Sequence, residues 1–217
     1  MIINRFETER LFINEYNNSY IDDYVRIVRQ PEVYATTYGI PRNYNSVRAK
    51  LWFKAIKENM KKNTAYEFAI VLKETNRYIG NIGLININTA SRKAEITYIV
   101  DRDHMNRGIA TEAAAIMLDY GFNKMELNKI SGICMSVNPA SRRVMEKLGM
   151  KYEGTVREDM LKDRVYYDLD ILSILRSEYT GVPPVSIRGG VPPRSTRAGV
   201  PPVSIRGGVP PRSIRAL

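Results

Sequence analysis

DRDHMNRGIATEA, residues Asp101–Ala113, is the stretch on which the reading of this chain turns. Before it lies AEITYIV (Ala94–Val100), an apolar run of strand character. After it, AAAIMLDYGF has the character of a helix, and Gly108, the stretch's only glycine, sits at the junction. A strand, a short polar turn and a helix start leave backbone N–H groups without intrahelical partners. Those groups and the helix dipole together favour an anion.

Upstream, YEFAIVL (Tyr66–Leu72) and YIGNIGLINI (Tyr78–Ile87) flank the turn KETNR as a hairpin. KAEITYIV follows as a third antiparallel strand. Gly80 and Gly83, inside a strand, mark a bulge or a close approach. Earlier, ERLFINEY (Glu9–Tyr16) alternates weakly as a first strand. Ser19 with Asp22 resembles a capping box ahead of a helix whose stripe is Ile21, Tyr24, Val25 and Val28. Gln30-Pro31 ends that helix, and residues 31–45 read as irregular. Ser46 is the expected cap of a second helix with apolar face Val47, Leu51, Trp52, Ala55 and Ile56, where Trp52 reads as a core anchor.

Downstream, Ala110, Ala113, Ala114, Met117, Leu118 and Gly121 line one helix face, small enough for close packing on a sheet. KISGICMSV (Lys129–Val137) is a buried strand in which Cys134 reads as a small core residue. NPASRRVMEKLGM (Asn138–Met150) has Asn138 as N-cap, Pro139 at the first helical position and Gly149 past the end. Ser141 shares the inward face with Val144, Met145 and Leu148. Lys151–Met160 and Arg164–Leu175 close the body as a last hairpin. The order β-α-α-β-β-β-α-β-α-β-β predicts an α+β fold: a mixed, mostly antiparallel sheet with helices on both faces.

The 217 residues suffice for one domain with a sizeable core. No apolar run spans a bilayer, and MIINRFETERLF lacks a signal peptide's apolar centre, so no membrane partner and a cytoplasmic location are expected. One cysteine, Cys134, and one histidine, His104, argue against a disulfide or a metal site. The net charge of +10 is uneven. The segment after Tyr179 carries six arginines and no acid; removing them from 33 leaves 27 basic against 23 acidic residues, a mildly basic body. From Gly181 the chain is four nine-residue copies, GVPPVSIRG, GVPPRSTRA, GVPPVSIRG and GVPPRSIRA, then Leu217. Residues 1–180 thus read as the domain and 181–217 as an extended or disordered tail. A tandem repeat without function and a basic arm contacting ribosomes or RNA are both open for it.

Three segments together resemble the GCN5-related N-acetyltransferases. RDHMNRGIATEA is similar to their acyl-coenzyme A signature. NPASRRVMEKLGMKYEGTVRE and DRVYYDLDILSILRSEY resemble the later helix-strand segment and the ending of the branch that acetylates ribosomal-protein N-termini. The likeness covers about residues 5–179. Against the pattern Gln/Arg-x-x-Gly-x-Gly/Ala, Gly108 and Ala110 match, Met105 replaces the polar residue, and Asn106 stands where many relatives have glycine. A positive φ is expected there, which asparagine adopts better than other non-glycine residues.

The resemblance implies direct attack of an amine on the thioester of acetyl-CoA, without metal. The acceptor would be a protein α-amine or a small amine such as an amino acid, polyamine or antibiotic. A non-catalytic acyl-CoA-binding or RNA-binding module is the alternative class. The resemblance also implies that the amides of Met105, Asn106, Arg107, Gly108, Ile109, Ala110 and Thr111 hold the pyrophosphate. Tyr98, Ile99 and Val100 would pair with the pantetheine arm, with Asn138 contacting the same region. Ser141 is the expected residue near the sulfur, as proton donor or water-orienting group, with Tyr98 and Tyr120 as alternatives. Its plain alternative is a small residue near a helix start. Glu95 is the expected base; it shares a strand face with Thr97 and Ile99, and a carboxylate among apolar neighbours has a raised pKa. A purely structural glutamate is equally open. His104 is expected at the surface or at the phosphate. Residues 20–62, with Tyr34, Tyr38 and Trp52, and the last hairpin near Tyr166 and Tyr167 would shape the acceptor wall. The exposed hairpin edge makes a homodimer an expectation.

Overall fold

The computed structural model describes residues 6–181. The expected tail, beyond Gly181, lies outside them. The chain runs β1 (Phe6–Glu7), β2 (Leu11–Asn14), α1 (Ile21–Val28), α2 (Pro31–Thr36), α3 (Ser46–Lys61), β3 (Tyr66–Leu72), β4 (Arg77–Asn88), β5 (Lys93–Val100), α4 (Ile109–Asp119), β6 (Lys129–Met135), α5 (Pro139–Lys147), β7 (Lys151–Lys162) and β8 (Val165–Leu175). This is the expected order with β1 and α2 added.

The additions and shifts have local causes. Pro31 ends α1 but also opens α2, because at the first helical position its missing N–H leaves no bond unmade. Asn17, not Ser19, caps the start of the first helical segment; its side chain accepts the Ser19 N–H at 2.9 Å ahead of a 3₁₀ turn that runs into α1. Asn45, not Ser46, caps α3 by accepting the Arg48 N–H at 3.0 Å. The buried stripe of α3 is Ala49, Phe53 and Ile56, while Val47 and Leu51, expected inside, are 66% and 64% exposed. Phe53 wins the inner position through its ring contacts with Tyr16 and Tyr24, at 4.6 and 5.7 Å between centroids. Trp52 stacks on Tyr24 at 4.6 Å, the packing role expected of it.

The strands form one sheet in the order β1-β2-β3-β4-β5-β6-β8-β7, and all neighbours are antiparallel except β5 and β6. One face is covered by α1–α3, whose core includes Tyr24, Ile27, Phe53 and Ile56. The other carries α4 and α5 through Ala113, Ala114, Met117 and Met145. A side chain at Gly132 would put its Cβ 2.4 Å from Met145 Sδ, so α5 sits on β6 where the strand has no side chain. Asp163 and Arg164, both at positive φ, turn β7 into β8 in the manner of a two-residue hairpin loop.

One departure from a regular sheet positions everything that follows. The parallel pair joins only Lys93–Ile96 to Lys129–Gly132. Beyond it, Thr97–Val100 pairs with β4 alone and Ile133–Met135 with β8 alone. Two strand edges therefore diverge into a wedge whose apex lies at Ile96 and Gly132.

Candidate active site

The wedge leads out of β5 into the turn Asp101–Gly108. Asp101 is buried and pinned there by Arg26 Nη2 at 2.7 Å, Gln30 Nε2 at 2.9 Å and the Asp103 amide at 3.2 Å. Burial alone would raise its carboxyl; these donors outweigh it and hold the group below its usual range. Asn106 has φ 59°, the left-handed conformation expected of it, and Gly108 follows at φ 77° as the cap of α4. The first intrahelical bond of α4 runs from the Glu112 N–H to the Gly108 carbonyl at 2.9 Å. The amides of Ile109, Ala110 and Thr111 precede it and point out of the helix start. The turn is braced from the residue just before β2, where Arg10 donates to Glu112 Oε2 at 2.7 Å and to the Arg107 carbonyl at 2.9 Å.

Side chains of the turn divide their tasks. Ile109 is buried in the core and Met105 packs against the α1–α3 cluster, so both present only backbone to the turn. Arg107 is exposed. His104 is half-buried and lines, with Arg26, Arg77 and Asp103, a cavity of about 120 Å³ behind the turn.

At the other end of the wedge, β5 meets α5. The Tyr98 hydroxyl lies 2.9 Å from Ser141 Oγ and donates to the Ser141 carbonyl at 3.0 Å. Burial pushes the Tyr98 hydroxyl up to about 12, so it keeps its proton at neutral pH. Ser141 is placed by the helix start: Asn138 Oδ1 accepts its N–H at 3.1 Å, the cap expected from the sequence. The Asn138 amide nitrogen also donates to the Thr36 carbonyl at 3.4 Å, tying α5 to the end of α2. Cys134 is buried beside the same serine. Burial and the charge of Asp170 push its thiol up to about 11, against a hydrogen bond from Ser141. It is a thiol at neutral pH, not a thiolate nucleophile. Tyr120 is buried in the core on the α4 side, and its hydroxyl has no partner among the described residues.

Glu95 and Thr97 alternate with Ile96 and Tyr98 along β5, and so face the α1–α3 layer rather than α5. Burial raises the Glu95 carboxyl, partly offset by a hydrogen bond from Asn86 Nδ2 at 3.1 Å. Tyr38, at the end of the α2 segment, faces the same place. Burial pushes its hydroxyl up, and the charges of Glu95, Cys134 and Asp159 add to the shift. The last hairpin closes on this wall: Lys162 Nζ donates to the carbonyls of Tyr34 and Thr37, the latter at 2.6 Å. Arg42 pairs with Asp163 at 3.1 Å.

The structure thus brings Tyr98, Ser141 and Asn138 together on one side of the wedge and Glu95 with Tyr38 on the other. The 105–111 turn lies at the wedge's open end. Sequence reasoning missed the Arg10 brace, for which a lone arginine before a strand gives no signal. It also left Cys134 apart from Ser141, because seven residues and a change of element separate them.

Residues 10–151 match the family described as "Acetyltransferase (GNAT) domain", more than half of the chain. The chain belongs to the GNAT acetyltransferase family. It is 31% identical over 176 residues to "uncharacterized N-acetyltransferase p20" of Bacillus licheniformis, covering 80% of this chain and 97% of that protein. It is 29% identical over 100 residues to the spermidine N(1)-acetyltransferase of Escherichia coli, 46% of this chain and 54% of the enzyme. The fold matches a ribosomal-protein-S5-alanine acetyltransferase from Vibrio fischeri with TM-score 0.70 at 19% identity, over 81% of this chain and 98% of that one. This GNAT chain is an acetyl-CoA-dependent N-acetyltransferase. Among the described residues no helix is long and apolar enough to cross a membrane.

Proposed function

We propose that this GNAT enzyme acetylates the α-amine at the N-terminus of a protein, by direct attack in a ternary complex. The observation that carries the reading is the placement of Glu95 on one face of the wedge and the Tyr98–Ser141 pair on the other. A base and a proton donor on opposite sides of one gap suit an attack that passes through it. Acetyl-CoA supplies the acetyl group as an activated thioester. The free amides of α4 and the unpaired edge of β5 fit its anionic and amide-bearing parts.

In this mechanism the N–H groups of Ile109, Ala110 and Thr111, with the rest of the 105–111 turn, hold the pyrophosphate. The Tyr98–Val100 edge and the Asn138 amide hold the pantetheine arm. Glu95 takes a proton from the acceptor amine through a water, a task for which its raised carboxyl suits it. Ser141 gives its proton to the departing sulfur and regains one from Tyr98, 2.9 Å away, which takes a proton back from water. A protein acceptor is favoured by the hairpin beside the site. Leu161, Val165 and Tyr166 are exposed there and offer an apolar surface to the residues that follow the acetylated one.

A second reading is a polyamine acceptor. It is favoured by Asp159, a second carboxylate near Tyr38, and by the spermidine-acetylating relative. Thiol release from acetyl-CoA with N-terminal peptides and with spermidine, and mass spectrometry of the products, separates the two. Turnover of peptides at the α-amine supports the proposal. Turnover of spermidine alone moves the assignment to polyamines. Cofactor binding without turnover on any amine would leave only a binding module.

A further inference from the structure

Glu67 is a buried carboxylate that the mechanism above does not use. It lies on β3 in register with Gly83, and Gly83 with Thr97, so Glu67, Gly83 and Thr97 form one row across three strands. Thr97 is two residues from Glu95 and on the same strand face, so both glutamates look toward the α1–α3 layer. A Cβ at Gly83 would come within 2.7 Å of Glu67 Cγ and 2.6 Å of the Tyr66 carbonyl oxygen. Glycine at 83 is what allows the Glu67 side chain to lie across β4, leaning toward β5. This is the close approach that a glycine inside the strand suggested.

Polar groups around Glu67 are left unpaired. Asn81, one alternate residue along β4 from Gly83, has its Oδ1 buried and without a partner. The Tyr16 and Tyr78 hydroxyls, close enough to feel the Glu67 charge, are also buried and without partners. These three residues are at most 4% exposed. Burial pushes the Glu67 carboxyl up to about 7, with no cation or hydrogen bond offsetting it. A carboxylate and an amide oxygen accept hydrogen bonds only; an ammonium brings three donors and a positive charge. A hydrocarbon would leave these groups unpaired, and an anion would be repelled.

We propose that Glu67 and Asn81 form a specificity subsite that takes an ammonium group of the acceptor, carried on a short aliphatic stem from the amine that is acetylated. The proposal rests on acetylation of an amine in the wedge and deepens it. Two strand spacings, about 9–10 Å, separate β3 from β5. The lean of Glu67 across Gly83 shortens that span to one that a stem of about four to five carbons covers. The ammonium has two sources with the same chemistry, a lysine at the acceptor protein's N-terminus or a small diamine.

The test measures binding and turnover separately on the full chain. With CoA present, 1,4-diaminobutane and 1-aminobutane are titrated by calorimetry, as are lysine-initiated and norleucine-initiated tripeptides. The dicationic member of at least one pair is expected to bind about 30-fold tighter, the worth of a charge-assisted bond made in place of water. Which pair discriminates identifies the source. In Glu67→Gln the advantage collapses to about 3-fold or less, while CoA affinity and binding of the monocationic member stay unchanged, which shows that the variant is folded. In turnover the same loss enters through KM for the dicationic acceptor, with kcat retained. Equal binding of both members of both pairs to the wild type overturns the subsite, as does an advantage that survives Glu67→Gln. Either result would mean that these buried groups pair with internal water only. Failure of every amine to be acetylated overturns the proposed function instead, because binding alone decides the subsite.

Discussion

Removal of the Ser141 hydroxyl is the perturbation whose size follows most directly from the geometry. Ser141 touches Tyr98 through its Oγ at 2.9 Å and is held by a backbone bond from its own N–H to Asn138 at 3.1 Å. Ser141→Ala keeps the second contact, so α5 retains its cap. The loss in folding stability is that of one neutral hydrogen bond, about 1 kcal/mol. The loss in rate is that of a positioned proton donor, about 10²–10⁴-fold in kcat. Tyr98→Phe removes the group that reprotonates Ser141 and should lower kcat by about ten-fold or more. Because the two hydroxyls act as one path, the double variant should be little slower than Ser141→Ala alone, a coupling of about 1–3 kcal/mol. Steady-state thiol release reads kcat, and calorimetry reads acetyl-CoA affinity. The reasoning is refuted if Ser141→Ala weakens acetyl-CoA binding as much as it lowers kcat. It is equally refuted if the two substitutions add.

Three further outcomes are expected. Gly108→Trp abolishes acetyl-CoA binding by calorimetry, because a large side chain there fills the turn, and it lowers the melting temperature by only about 2–8 °C, the strain of about 1–2 kcal/mol for a non-glycine residue at φ 77°. Asp101→Asn removes the charge partner of Arg26 at 2.7 Å and costs about 2–3 kcal/mol, or about 5–10 °C in thermal melts. Since the folded carboxyl lies below its ordinary range, its stabilisation is complete above about pH 4 and drains as pH falls through the lowered value. Wild type and variant should therefore converge in acid, and a gap that widens there contradicts the assignment. In the pH profile of kcat/KM, the Glu95 limb should lie above the ordinary carboxylate range, activity rising as the group deprotonates. Glu95→Gln should remove that limb and leave only the rise set by the acceptor amine near pH 8.

The sequence was most legible where one local rule had no competitor. Asn138 followed by Pro139, with Gly149 past the end, leaves α5 one place to start and stop, and the cap bond to Ser141 follows. The strand–turn–helix around Gly108, the positive φ at Asn106 and the alternation of Glu95 with Tyr98 belong to the same class. It was less legible where neighbouring residues offered the same chemistry. Asn45 and Ser46 both cap well, and only the chain's entry angle selects Asn45. Pro31 was readable as a stop, yet it also opens α2. In α3, Val47 and Leu51 lost the inner face to Phe53 because its aromatic partners, Tyr16 after β2 and Tyr24 in α1, lie far off in sequence. Contacts across the sheet were not legible at all. The Tyr98–Ser141 pair joins residues 43 apart, and the place where β5 and β6 part is a matter of register, which no residue pattern encodes. Glu67 illustrates the limit: within YEFAIVL it is one polar residue in a strand, and only the row with Gly83 and Thr97 gives it a direction.

The central claim is that the diverging edge of β5 and the start of α4 together hold acetyl-CoA, and amide hydrogen exchange tests it most directly. With saturating acetyl-CoA, the account predicts protection at Thr97–Val100 and across Met105–Thr111, with Asn138 and Ser141 also slowed and β1–β3 unchanged. Protection confined to other segments, or none at 97–100 and 105–111 despite measurable binding, would contradict it.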